Sequence, residues 1–229
     1  LRNLKHKKLI KIVTGIRRCG KSTVLEMFRD ELLDNGVEEN QIIFINFEDY
    51  ENKSLRNPES LYDYIKQRLT SKMNYIFLDE IQRVEDFPEV VDSLYIKDNV
   101  DLYLTGSNSS LLSSEIATLI SGRYVEIKML PLSFKEFISS KDITDLETLY
   151  NEYISLGSFP YTTQLEEDEI SRYLGTLFND VIIKDVMIRK GISDETMLKS
   201  VANFALDNIG NLVSINSIAN TMISDGRSI

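Results

Sequence analysis

The clearest chemical signal in the chain is Gly15-Ile16-Arg17-Arg18-Cys19-Gly20-Lys21-Ser22, a G-x-x-x-x-G-K-[ST] pattern followed by Thr23. Its glycines let the backbone turn tightly, so that successive N–H groups converge on phosphate oxygens at a helix N-terminus. Lys21 is expected to reach the β- and γ-phosphates of a nucleoside triphosphate, and Ser22 to ligate Mg²⁺. Arg17 and Arg18 occupy variable positions and are expected to face outward, while Cys19 is expected to act as a small filler beside the phosphates.

Three further groups can join this loop. Tyr75-Ile76-Phe77-Leu78-Asp79-Glu80 is an apolar run ending in two carboxylates, the Walker B pattern. Asp79 is expected to hold Mg²⁺ together with Ser22, and Glu80 to be the general base that polarises an attacking water. Thr105-Gly106-Ser107-Asn108 closes the next apolar run. Asn108, and after it Ser107, are candidates to bond the attacking water or the γ-phosphate; the alternative is a turn that only caps the next helix. Arg123 is a candidate to stabilise charge on the transferring phosphoryl group, in cis or from a neighbouring subunit, against the alternative of a solvated arginine.

Strands are expected at 9–13, 42–47, 75–78, 102–104 and 124–129, because these runs are apolar or alternate. Helices are expected between them: after the loop as far as Gly36, from Pro58 with Leu61, Ile65 and Leu69 four apart, from Pro88, and around 111–120. Such alternation implies an α/β fold of three αβα layers around a mostly parallel sheet. The pattern changes at Pro131, where Ser133-Phe134-Lys135-Glu136 has capping-box spacing and opens a helix. The expected organisation is a core at 1–135, a helical region at 136–208 and, at 209–229, the opening of a winged helix.

Composition narrows the function. No apolar run approaches the roughly 20 residues that span a bilayer, and no secretory signal opens the chain, so a cytoplasmic location is expected. One cysteine excludes an intrachain disulfide, and one histidine, His6, makes a His-based zinc site or a Ser-His-Asp triad untenable. A net charge of −10 over 229 residues opposes broad binding to nucleic acid. Residues 1–25 nevertheless carry eight Lys or Arg and no acid, a positive field serving either the triphosphate and solubility or an acidic partner. Asp79 is followed by Glu80, Ile81 and Gln82 rather than by Asp-x-x-Gly, and Asn52-Lys53-Ser54-Leu55 lacks the Asp of a guanine-reading motif. ATP hydrolysis with Mg²⁺ is therefore expected, the alternative being a nucleotide-gated interaction module with little turnover.

Taken together, the loop, Phe77-Leu78-Asp79-Glu80-Ile81-Gln82, Leu104-Thr105-Gly106-Ser107 and Ser121-Gly122-Arg123 resemble a bacterial and archaeal family of AAA-type P-loop ATPases. So do Leu130-Pro131-Leu132-Ser133-Phe134, Gly157-Ser158-Phe159-Pro160, Asn208-Ile209-Gly210-Asn211 and Ser214-Ile215-Asn216-Ser217-Ile218-Ala219. The resemblance implies strand order 5-1-4-3-2, a helical region, a winged helix cut short here, and a missing C-terminal domain of unknown function. The chain departs from it at Gly157-Ser158, where two glycines are usual, and at Cys19. Implied partners are ATP and an unidentified protein client, with oligomerisation open, no membrane, and DNA only through a complete winged helix.

Overall fold

The structure is a computed structural model that describes residues 1–106, 122–139, 141 and 145–224. It divides into two compact units, Leu1–Gln164 and Leu165–Ile229. The first contains β1 (Ile10–Gly15), α1 (Lys21–Asp34), β2 (Ile42–Asn46), α2 (Pro58–Arg68), β3 (Asn74–Asp79), α3 (Phe87–Tyr95), β4 (Val100–Gly106) and β5 (Tyr124–Met129). All five strands pair in parallel in the order β2-β3-β4-β1-β5, which is the expected 5-1-4-3-2 read from the opposite edge. The unit continues through α4 (Phe134–Ser139) and α5 (Leu146–Leu156).

The strand alternation sorts the core into two layers. Ile10, Ile12, Ile76, Leu78, Leu102 and Leu104 face α2 and α3, meeting Leu61, Ile65, Val90, Val91 and Leu94. Val13, Tyr75, Phe77 and Tyr103 face the other way onto Leu25, Phe28 and Leu32 of α1. Local signals set the helix ends. Asn57 accepts a 2.9 Å bond from the Ser60 amide at the start of α2, just ahead of Pro58. At the end of α1, Gly36 lies at φ 83°, and the Gly36 and Val37 amides return to Leu33 and Leu32 at 2.9 and 3.0 Å, a Schellman closure.

Two strands run further than their apolar stretches. β3 begins at Asn74 and β4 extends from Val100 to Gly106, because Asn74, Asp101 and Thr105 are buried yet hydrogen-bonded. Burial of a polar side chain is tolerated when its partners are supplied, and here neighbouring loops and strands supply them. The helix expected around 111–120 lies outside the described residues.

Part of the basic stretch at 1–25 is paired within the chain. Arg2 pairs with Glu31 at 2.6 Å, Lys8 approaches Asp98 at 3.4 Å, and Lys11, with no exposed surface, is bonded to the buried Asp101. Asp101 also accepts from the Tyr103 hydroxyl at 2.8 Å and the His6 amide at 2.9 Å, and His6 Nε2 meets the Tyr75 hydroxyl at 2.6 Å. Burial, reinforced by the Asp101 charge, pushes the Tyr103 phenol far up, so it stays a neutral donor. Lys11 is therefore withdrawn from any external positive patch.

The second unit is helical: α6 (Glu167–Leu177), a π-helical stretch (Phe178–Lys184), α7 (Asp185–Lys190), α8 (Glu195–Asp207) and α9 (Ile215–Ser224). Glu166 and Glu169 form a capping box at α6, and Asp194 accepts from the Met197 amide at 2.8 Å. Among the described residues, no helix is long and apolar enough to cross a membrane.

Breaking the buried pair from one side leaves Asp101 charged without its cation. Lys11→Met is expected to destabilise the chain by about 3–5 kcal/mol, while Lys11→Met with Asp101→Asn, which keeps an acceptor for the Tyr103 hydroxyl and the His6 amide, recovers much of that loss. Urea unfolding midpoints of the two variants check this directly.

Candidate nucleotide site at the carboxyl ends of the strands

The loop between β1 and α1 is held against β5. A Cβ on Gly15 would stand 2.5 Å from the Met129 carbonyl oxygen and 2.8 Å from Cys19 Sγ, so only glycine fits this approach. Gly20 takes φ 97° as the N-cap of α1, a left-handed conformation that suits glycine and turns the chain into the helix. The first turn of α1 carries no acidic side chain, and Gly20 provides no side-chain cap, so its amides remain for an anion. Ile16, Arg17 and Arg18 are exposed, as expected for the variable positions, whereas Cys19 is buried. Burial pushes the Cys19 thiol up, which suits a filler rather than a reactive group.

Lys21, Ser22, Asp79 and Glu80 meet at one place. Lys21 is 5% exposed, and its Nζ donates to the Ile16 carbonyl at 3.2 Å. The same ammonium stands 3.7 Å from Glu80 Oε1. Asp79, at the end of β3, has no exposed surface. Burial raises its pKa, opposed by the hydroxyls of Thr105 and Ser22, which favour the charged form. Thr105 donates to Asp79 Oδ1, while Asp79 Oδ2 is buried with no hydrogen-bond partner.

Two residues that chain-order reasoning passed over complete the arrangement. Thr105 Oγ1, besides donating to Asp79, accepts the Glu80 amide at 2.9 Å, so one hydroxyl ties the end of β4 to the Asp79 carboxylate and to the main chain of Glu80. Its signal was a hydroxyl at the close of an apolar run, one residue past the Leu78–Leu104 pair. Gln82 donates from Nε2 to Glu80 Oε2. Glu80 itself lies at φ 56°, ψ 46°, a left-handed turn into the short 3-10 helix Ile81–Arg83.

Lys21, Ser22 and Glu80 border a cavity of about 410 Å³ together with Arg17, Arg18, Glu48, Pro160, Tyr161 and Gln164. A second cavity of about 840 Å³ shares Gly20, Thr23 and Pro160 with it and is walled by Val24, Met129, Leu130, Pro131 and Tyr153.

Arg123 is not brought to this place. Its carbonyl accepts the Ile10 amide at 2.8 Å, where β1 begins, and its guanidinium pairs with Asp92 of α3. Tyr124 is level with Ile10 and Met129 with Gly15, so about 16 Å of strand separates Arg123 from the loop. Ser107 and Asn108 lie outside the described residues.

The order of the five parallel strands, with a glycine loop joining β1 to α1 and two carboxylates at the end of β3, two strands away, defines a P-loop nucleoside-triphosphatase fold. A family model described as an AAA domain matches residues 7–138, and the chain belongs to that family as a nucleotide-binding, ATPase-like module. An uncharacterized protein of Haemophilus influenzae is 39% identical over 222 residues, covering 94% of this chain and 56% of its own length. An uncharacterized protein of Methanocaldococcus jannaschii is 31% identical over 231 residues, covering 93% of this chain and 50% of its own. The chain thus spans about half the length of the curated relatives it matches. Among solved structures, a DNA polymerase III gamma-subunit-related protein of Thermotoga maritima is similar at 13% identity and TM-score 0.47, over 89% of this chain and 70% of that one. DnaA of Aquifex aeolicus bound to AMPPCP is similar at 11% identity and TM-score 0.44, over 89% and 64%.

Because burial raises the Asp79 pKa, the folded chain holds that proton more tightly than the unfolded chain does. Stability from this group is then greatest at low pH and falls as pH rises from 3.8 through the raised folded value. Asp79→Asn removes this penalty, so at pH 7 the ligand-free variant is expected to melt above the wild type. The same variant is expected to lose Mg²⁺-dependent nucleotide affinity. Melting curves at pH 5 and 7 and nucleotide titrations with and without Mg²⁺ check both halves.

Proposed function

We propose that this domain binds ATP with Mg²⁺ and hydrolyses it to ADP and phosphate. The observation that carries the reading is the convergence of Lys21, Ser22 and Glu80 on one cavity, with the Lys21 ammonium 3.7 Å from the Glu80 carboxylate and Asp79 buried next to Glu80 at the end of β3. The orphaned Asp79 Oδ2 beside Ser22 suits a hard cation that takes one carboxylate and one hydroxyl, the rest of its oxygens coming from phosphate and water. Mg²⁺ bound there would neutralise charge on the β- and γ-phosphate oxygens.

Lys21 exchanges its bond to Glu80 for phosphate oxygens, and the amides at the start of α1 take the remaining phosphate charge. Glu80, released from Lys21, orients a water and takes one of its protons as the water oxygen bonds to the γ-phosphorus. The bond to the bridging oxygen breaks, and that electron pair leaves on ADP. The adjoining apolar cavity suits a purine base, bounded by Val24, Met129, Leu130 and Pro131. Guanine calls for a carboxylate acceptor at its N1–H and 2-amino group. Asn52-Lys53-Ser54-Leu55 lacks the Asp of a guanine-reading motif, which favours adenine.

A second reading is favoured by the same Lys21–Glu80 pair. A chain that ties its phosphate-binding ammonium to its base in the absence of ligand can use binding itself as the switch, with little turnover. The proposal extends to a cytoplasmic protein with an ATPase core at 1–135, a helical region at 136–208 and a winged helix opening at 209–229. It couples to an unidentified protein client, with DNA a partner only through a complete winged helix. Arg123, held at the far end of the sheet, serves a phosphate site in trans if the protein oligomerises.

Phosphate release and nucleotide binding separate the readings. Lys21→Ala is expected to weaken ATP binding at least tenfold, and Glu80→Gln to keep binding while lowering turnover at least a hundredfold. Turnover by Glu80→Gln equal to wild type removes the catalytic role of Glu80, and micromolar ATP affinity with near-zero wild-type turnover favours the switch. Arg123→Ala is expected to leave ATP affinity unchanged and to abolish any rise in specific activity with protein concentration, read from a dilution series.

A further inference from the structure

We infer that Gln82 is the positioning residue that aims Glu80 at the phosphate pocket, an assignment that rests on the hydrolysis reading above. Glu80 follows β3 in a left-handed conformation, so its side chain leaves the strand direction and needs support from outside the sheet. Its main chain is fixed by the 2.9 Å bond from its amide to Thr105 Oγ1 and by the Arg83 amide, which returns to the Glu80 carbonyl at 3.1 Å. Its carboxylate has one oxygen taken by Gln82 Nε2 and the other turned to Lys21 Nζ. When phosphate draws Lys21 away, the Gln82 bond is the contact that still orients the carboxylate, with Oε1 left facing the pocket.

The turn that carries Gln82 is rigid. Ile81 and Val84, on either side of it, are 0% and 3% exposed within the core layer under α2 and α3. The Val84 amide closes onto the Ile81 carbonyl at 2.9 Å, and the Glu85 amide reaches the Arg56 carbonyl at 3.1 Å. The amide orientation of Gln82 follows from its partner, since turning the group over would set its carbonyl oxygen against a carboxylate. That orientation leaves Gln82 Oε1 buried without a partner. A glutamine that merely braced the turn would be expected to satisfy both ends of its amide, because an orphaned buried acceptor is costly. Here the donor end is committed to Glu80 while the acceptor end goes without a partner, so the bond to Glu80 is what the amide serves.

The test uses Gln82→Met, which keeps length and removes the donor, with Gln82→Glu as a second variant of nearly the same shape. Melting temperature checks the fold of each. Single-turnover phosphate release with Mg²⁺-ATP and nucleotide titration are measured in wild-type and Glu80→Gln backgrounds. Loss of one charge-assisted hydrogen bond to the base is expected to lower turnover about ten- to hundredfold, with ATP affinity kept within about twofold. Gln82→Glu, which sets a second carboxylate against the first, is expected to lose at least as much. Because Gln82 acts through Glu80, Gln82→Met is expected to change the Glu80→Gln rate by less than about twofold.

Unchanged turnover in Gln82→Met, or an equal loss in both backgrounds, overturns the positioning role and leaves the hydrolysis reading standing. ATP binding without any wild-type turnover overturns the hydrolysis reading and this role with it.

Discussion

Parallel register governs every distance in the candidate site. β1 lies between β4 and β5, with Val13 level with Thr105 and Gly15 level with Met129, while Leu78 of β3 is level with Leu104. All these strands point the same way, so their polar C-terminal residues emerge on one edge of the sheet. Thr105 uses that coincidence, joining Asp79 and Glu80 through one hydroxyl. Had one strand slipped by a residue, each side chain would move to the opposite face and the bridge would be lost.

The two ends of the sheet treat buried polarity in opposite ways. At the amino ends, Lys11, Asp101, Tyr103, Tyr75 and His6 satisfy one another in a closed set of bonds. At the carboxyl ends, Asp79 Oδ2 and Gln82 Oε1 are left without partners, and Lys21 is held by Glu80 at 3.7 Å. Closed networks give rigidity, whereas orphaned acceptors near a cation mark a place whose remaining partners come from a ligand. The contrast within one sheet separates a structural end from a binding end.

Much of this was legible from order along the chain, because the features concerned are local. Gly15 to Ser22 follows a buried run and opens a helix, and Asp79-Glu80 closes another, so strand, loop and carboxylates declare themselves within a few residues. The lengths of β3 and β4 were less legible, since Asn74, Asp101 and Thr105 look like strand breakers until their partners across the sheet are known. Lys11 was read as part of an outward positive field; its partner Asp101 lies ninety positions away and is met only on folding. Arg123 presented the same difficulty, because its distance from the phosphate loop follows from the pairing of β5 with β1 rather than from spacing.

Residue order alone was enough for the class of fold, for the glycine loop that opens α1 and for the two carboxylates that close β3. Each rests on residue types within a short window, where backbone propensity and alternation act alone. Which side chains serve those residues followed from contacts made on folding. Thr105 holds Asp79 and Glu80 from the next strand, Gln82 turns back onto Glu80 through a left-handed residue, and Lys21 lies 3.7 Å from the Glu80 carboxylate. Such roles depend on side-chain direction and cross-strand register, which are settled by packing between elements distant in the chain.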